Sequence, residues 1–202
     1  MIYRLVNDEI AYNNSLDTGR PFIYSSGSNI DDLRVHSIGY FKNVIYHNDY
    51  VGEWPYIELY YDSGKGSATE DYLLNTLGWP IVHNRAREVF EQHGIKDIKY
   101  VKVQLRDTLS GSLCNDYSLL FVNSIIEAYD MEKSKYKYIP KYNVYSFNPM
   151  EIVFNKGACS KYDIFRCSKN VAVIYVSERF RELVISNGLT GFGFEYGERN
   201  NV

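Results

Sequence analysis

The sequence predicts an α+β protein: a mixed, mainly antiparallel sheet carrying two repeated strand–helix–strand units, with a β-rich N-terminal part. Three observations predict it. Residues 171–196 read as strand, helix and strand in succession, and residues 81–100 read the same way. The rest of the chain is rich in tyrosine and β-branched residues broken by turn signals, with no low-complexity linker. A single domain over residues 1–202 is therefore expected, with a region 1–75 and a region 76–202 that differ in charge.

The closing unit is the most explicit. Val171 to Val176 is an unbroken apolar run, which suits a buried strand. Ser177 then offers a hydroxyl to the open amides of a helix, and Glu178 places negative charge in its first turn. Phe180, Leu183 and Val184 fall at i, i+3 and i+4 and form one apolar face over a helix at 178–187. Gly188 follows, where the left-handed conformation that ends a helix is cheap only for glycine. Phe192, Phe194 and Tyr196 alternate as a final strand does.

The earlier unit aligns with it at an offset of 94 residues, so that 81–100 matches 175–194. Val176 meets Val82, Arg179 meets Arg85, Arg181 meets Arg87, Glu182 meets Glu88 and Gly188 meets Gly94. The apolar face transfers as Ala86, Val89 and Phe90, and Ile98 and Tyr100 stand for Phe192 and Phe194. Self-similarity at a fixed spacing is the mark of a repeated unit. Any two amphipathic helices closed by glycine share part of this pattern, but the flanking strands match as well.

In chain order, Ile2 to Val6 is a short strand and 7–32 is turn-rich, with a brief strand at Pro21 to Tyr24. Leu33 to Tyr46 has room for one or two strands, and Trp54 to Tyr61 is the clearest strand of this half. Asp62 to Thr69 is a loop. Lys99 to Leu105 alternates as a strand, Thr108 to Asn115 is a turn, and Tyr117 to Tyr129 reads as strand from its Val, Ile, Phe and Tyr content. Residues 131–147 interleave Lys133, Lys135, Lys137 and Lys141 with Tyr136, Tyr138, Tyr142 and Tyr145. Such interleaving stacks nucleic-acid bases in some proteins. In a chain that is acidic overall it fits better an edge strand whose lysines block aggregation. Ile152 to Phe154 and Asp163 to Cys167 are further short strands.

The net charge of −3 is uneven. Residues 1–75 hold 11 acids against 5 bases, and residues 76–202 hold 14 acids against 17 bases. An acidic half can steer a basic partner. Twenty tyrosines suit both a β-rich fold and a contact surface. No apolar run approaches the ~20 residues of a membrane span, and the start MIYRLVNDE lacks the basic lead and apolar stretch of an export signal, so a cytoplasmic chain is expected. Cys114, Cys159 and Cys167 form an odd, sparse set expected to stay reduced.

Reactive constellations are hard to find. His36, His47, His83 and His93 have no metal-ligand spacing, and no cofactor or metal is expected. Gly64-Lys65-Gly66-Ser67 lacks the first glycine and the spacing of a phosphate loop. Cys114 with His83 would be a nucleophile–base pair only if the fold joined them. Gly188, Gly191 and Gly193 run from helix to strand, the reverse of a dinucleotide loop.

The segments IVHNRAREVFEQHGI, YDMEKSKY, YDIFRC and VSERFRELVISNGLTGFGF resemble a family of bacterial immunity proteins found beside polymorphic secreted toxins. The resemblance covers residues 76–196 and rests on Ser177, Glu178, Arg179, Phe180, Leu183, Gly188, Thr190, Gly191 and Phe194, on the stretch Asp130 to Ser134, and on Phe165-Arg166. His83-Asn84 departs from the family's Ser-Glu helix start in the first unit. The resemblance implies a non-enzymatic protein that neutralises a cognate toxin domain by stoichiometric binding and occlusion. Two other readings stand beside it: a small-ligand enzyme that reverses toxin damage, and a nucleic-acid-binding regulator using Lys133 to Lys141.

Relatives that share the later motifs yet meet different toxins would place recognition outside those motifs, in residues 1–75. Asp31, Asp32, Asp49, Glu53, Asp62, Glu70 and Asp71 would then attract a basic toxin surface, with Tyr60 as a buried anchor. No membrane partner is expected, and the sequence leaves self-association open.

Overall fold

The computed structural model describes residues 1–8, 57–65, 70–75 and 77–197. The strands expected at 21–24 and 33–46, and Asp31, Asp32, Asp49 and Glu53, lie outside the described residues.

The described residues build two five-stranded sheets and a separate hairpin, rather than one sheet. The strands of one sheet are β2 (Ile57–Tyr61), β3 (Tyr72–Leu73), β4 (Ile81–His83), β5 (Ile98–Asp107) and β6 (Leu113–Val122), in the order β2-β5-β6-β4-β3. The other holds β1 (Ile2–Asn7), β7 (Ile125–Ile126), β10 (Ile164–Cys167), β11 (Asn170–Ser177) and β12 (Phe192–Tyr196), in the order β12-β1-β11-β10-β7. Each sheet is antiparallel except at one edge, where β2 runs parallel to β5 and β7 parallel to β10. The hairpin is β8 (Tyr136–Ile139) and β9 (Val144–Phe147).

Among the described residues three α-helices accompany them: α1 (Asn84–Gln92), a single turn α2 (Lys156–Cys159), and α3 (Glu178–Ser186). Both long helices start and stop as their residues dictate. The Ser177 hydroxyl accepts from the Phe180 amide, and His83 Nδ1 accepts from the Arg85 amide in place of the usual hydroxyl cap. Gly94 and Gly188 close them with φ of 67° and 58°.

Of the strand expected over Tyr117 to Tyr129, residues 117–122 and 125–126 are strand and Tyr129 makes a single bridge; β6 begins at Leu113, so the preceding turn is only 108–112. Of Ile152 to Phe154, Phe154 alone makes a β-bridge, to Tyr129. The run Val171 to Val176 is buried only from Ile174 onward. Its partner β1 pairs with Tyr175 to Ser177 and, among the described residues, does not extend along the first half of β11.

The two sheets share strand order and register to a degree the sequence only hints at. In one, β4 and β5 both run antiparallel to β6 between them, with β3 beyond β4. In the other, β11 and β12 both run antiparallel to β1 between them, with β10 beyond β11. Tyr100 faces Leu120 across β5–β6, and Phe194 faces Leu5 across β12–β1. Tyr72 faces Val82, and Ile164 faces Val176. In both sheets the strand before the helix and the strand after it are separated by one inserted strand.

The main core lies where the sheets and both long helices meet. Val82, Leu120 and Val122 come from one sheet, Leu5, Ile174 and Val176 from the other, and Phe90, Phe180, Leu183 and Val184 from the helices. Phe90 and Phe180 pack with their rings tilted, centroids 4.8 Å apart. Val89, expected in this core, is half-buried at its margin. A second cluster, with Leu59, Trp79, Val103 and Leu119, covers the far face of the first sheet. A third, with Tyr129, Phe154, Phe165 and Tyr175, covers the far face of the second. Alternate residues of each central strand serve opposite clusters, as the pleat requires.

Candidate functional site

The expected acidic surface divides once it is placed on the fold. Tyr60 sits on β2, half-exposed, and the Glu58 carboxylate beside it pushes its hydroxyl pKa up. Glu58 itself is buried and held by Arg106, Nε to Oε1 at 2.8 Å and Nη2 to Oε2 at 3.1 Å. Asp62 is half-buried and accepts from the Gly64 amide at 2.9 Å. Glu70 is half-buried and its carbonyl accepts from the Tyr117 hydroxyl at 3.1 Å.

Asp71 belongs to the interior. It is 2% exposed, and its carboxylate accepts from Arg85 Nη1 at 2.8 Å, from the Thr190 amide at 2.8 Å and from the Thr190 hydroxyl at 3.2 Å. A carboxylate so enclosed joins the two sheets and does not face a partner; burying it is tolerable only because a cation and two donors meet it. Beside it, the Tyr72 amide donates to the Thr190 carbonyl at 3.0 Å. Gly191 lets the strands approach: a Cβ there would lie 2.2 Å from the Tyr72 carbonyl oxygen.

An equivalent lock holds the other helix start. Asp163 accepts from the Ser177 hydroxyl at 2.9 Å and from Arg179. Its carbonyl takes the Ser177 amide at 2.9 Å, as the Asp71 carbonyl takes the His83 amide at 3.0 Å. Each arginine also reaches across to the other helix. Arg85 Nη2 donates to the carbonyls of Asn187 and Gly188, at 2.8 and 3.1 Å, and Arg179 Nη2 donates to the His93 carbonyl. Cations at helix C-termini meet the negative end of the macrodipole. The aligned arginines were visible in the sequence; Asp71 and Asp163 as their partners were not, because neither lies in the aligned units.

His36, His47, Gly66 and Ser67 lie outside the described residues, and the other candidate reactive groups are occupied elsewhere. His83 caps α1 and packs edge-on against Tyr117. The Cys114 thiol lies 3.7 Å from an Asp116 oxygen, and burial pushes its pKa up, away from the thiolate a nucleophile needs. Cys159 and Cys167 are buried free thiols. Among the described residues no three His, Cys, Asp or Glu side chains gather as metal ligands, and no helix is long and apolar enough to cross a membrane.

The lysine–tyrosine segment forms a projecting hairpin. Tyr136, Tyr138, Tyr145 and Phe147 make an aromatic ladder on one face, with Tyr138 and Tyr145 at 5.0 Å and Tyr136 and Tyr145 at 5.4 Å. Phe147 roots it edge-on against Tyr129, at 4.7 Å. Lys133 pairs with Asp130 and Lys135 with Glu151, both at 2.6 Å.

The fold and these surfaces define an α+β protein whose charged groups largely lock its own elements together and whose hairpin is exposed. The model of the Immunity protein family (Imm11) matches residues 8–198, and the chain belongs to that family. Membership places it among proteins of toxin immunity, whose partner is a toxin. No curated protein matches the chain.

Proposed function

We propose that this protein neutralises a cognate secreted bacterial toxin of a polymorphic toxin system by binding it one-to-one and occluding its active site, inside the producing cell. The observation that carries this reading is the family match over nearly the whole chain. A stoichiometric inhibitor needs a rigid scaffold with a complementary surface rather than a reactive group. The locked helix pair and the two cross-linked sheets supply the rigidity.

On this reading the acidic part of the interface comprises Asp31, Asp32, Asp49, Glu53, Asp62 and Glu70 with Tyr60, and Asp71 supports it from within. The scaffold itself is an internal duplication. One unit takes its inserted strand from β6, and the other takes β1, from the far end of the chain.

The test is reconstitution with the C-terminal toxin domain of a secreted protein whose gene neighbours this one. A one-to-one complex and toxin activity that falls to zero at equimolar protein are expected. Absence of a complex overturns the reading, and so does protection by catalytic amounts, which would mark an enzyme. Asp62→Lys with Glu70→Lys should slow association at low salt; unchanged association puts the acidic contact elsewhere.

A further inference from the structure

The hairpin of β8 and β9 carries an exposure that the fold does not use. A two-stranded hairpin is marginal by itself, and this one joins neither five-stranded sheet. Its outer end nevertheless keeps Tyr138, Tyr142 and Val144 at 42%, 64% and 46% exposure. The turn that presents them is fixed. Pro140–Tyr142 forms a 3-10 turn, Asn143 adopts the left-handed conformation with φ of 50°, and the Tyr138 hydroxyl donates to Asn143 Oδ1 at 2.8 Å. The aromatic tip is therefore rigid before any partner arrives, which lowers the ordering cost of binding.

Residues 133–147 contain four lysines and no acid. The two at the base, Lys133 and Lys135, are neutralised by Asp130 and Glu151. Lys137 and Lys141, beside the exposed tip, make no ion pair with a described residue. We propose that the Tyr136–Phe147 hairpin is a docking arm that seats Tyr138, Tyr142 and Val144 on an acidic patch of the toxin, with Lys137 and Lys141 supplying the charge match. The proposal rests on the toxin-binding reading, and it holds whether or not the acidic residues above share the contact.

Tyrosines buried at the centre of an interface are its commonest anchors, and a matched rim charge governs the rate of encounter. A nucleic acid fits less well. Two lysines, one of them over the Tyr142 ring at 5.3 Å, neutralise few phosphates. The ladder rings also pack against one another, Tyr136 edge-on and Tyr138 tilted to Tyr145, and Phe147 stacked with it, rather than standing open to bases.

Two variants of the full chain, Lys137→Glu with Lys141→Glu and Tyr138→Ser with Tyr142→Ser, test the arm against the same toxin domain. The lysine variant should associate at least tenfold more slowly at low salt, with the deficit shrinking at high salt. The tyrosine variant should dissociate at least tenfold faster. Hydrogen exchange on the unmutated complex, which needs no variant, should show residues 136–147 protected by toxin. A wild-type chain that binds, with both variants binding equally and 136–147 unprotected, overturns the arm and leaves the toxin-binding reading standing. A wild-type chain that does not bind overturns both. Tight, salt-steep binding of a single-stranded 20-mer that the lysine variant loses, with the toxin contact unaffected, assigns the hairpin to nucleic acid and overturns the arm.

Discussion

Arg85 and Arg179 each cap the helix that the other begins. Arg85, in the first turn of α1, donates to the Asn187 and Gly188 carbonyls at the end of α3. Arg179, in the first turn of α3, donates to the His93 carbonyl at the end of α1. Each also pairs with an aspartate that leads into its own unit, Asp71 or Asp163. The two helices are thus held head to tail by a reciprocal pair of cations.

The two arginines should nevertheless differ in weight. Asp71 is almost fully enclosed, whereas Asp163 is partly open to water, where a pair contributes little. Arg85→Ala strands a buried carboxylate, though Thr190 still donates to it, and should cost about 1–3 kcal/mol. Arg179→Ala should cost about 1 kcal/mol or less. Urea melts of the two variants check this, and a costlier Arg179 variant contradicts the burial argument.

The facing rings set the scale for the core. Phe90→Ala should cost about 3–5 kcal/mol and Leu183→Ala about 2–5 kcal/mol, because each leaves a cavity between helices and sheets. Val89→Ala, at the margin, should cost roughly 1 kcal/mol, for little is enclosed there. A Leu183 variant within ~1 kcal/mol of wild type in a denaturant melt would show that this face is loosely packed.

Two glycines with similar backbones should respond differently to alanine. Gly94 has φ of 67° and open space where a Cβ would go, so Gly94→Ala should cost only about 1 kcal/mol of backbone strain. Gly191 has φ of 82° and the Tyr72 carbonyl 2.2 Å from that Cβ. Gly191→Ala must part the two sheets at the Asp71–Thr190 junction, and should cost at least ~2 kcal/mol beyond the Gly94 variant. Equal melting temperatures for the two variants would rule this out.

Asp107 gives the protein an acid-sensitive loop. The Ser110 hydroxyl, then Ser63 and the Leu109 amide, hold its carboxyl well below the ordinary 3.8. A lowered folded value means stability that is present above about pH 4 and lost as pH falls through the folded value. The stability gap between wild type and Asp107→Asn should therefore be constant from neutral pH to about pH 5 and close below about pH 4. Melts across that range measure it, and a gap that widens with acid refutes it.

Local chemistry was legible and long-range pairing was not. Helix starts, helix ends and apolar faces are written within ten residues, so α1 and α3 can be read from the sequence almost to the residue. One sheet was expected where there are two, because alternation gives a strand its faces but not its neighbours. Asp71 looked like one more surface acid. Its partners Arg85 and Thr190 are 14 and 119 residues away, and nothing in its local sequence points to either. Val171 to Val173 looked buried because apolar runs do not tell where a neighbouring strand ends.

The place of β1 has a consequence for how the protein is made. Residues 2–7 are among the first of this sequence to leave the ribosome, yet their partners on both sides are residues 175–177 and 192–196. Synthesis at ~5–20 residues per second leaves that strand unpaired for the time taken to reach the far end of the domain. The sheet built on β2 to β6 can assemble while translation continues; the other must wait. Pairing over so long a stretch of chain predicts slow closure of that sheet. A nascent chain stalled before residue 190 would hold one closed sheet and one open one.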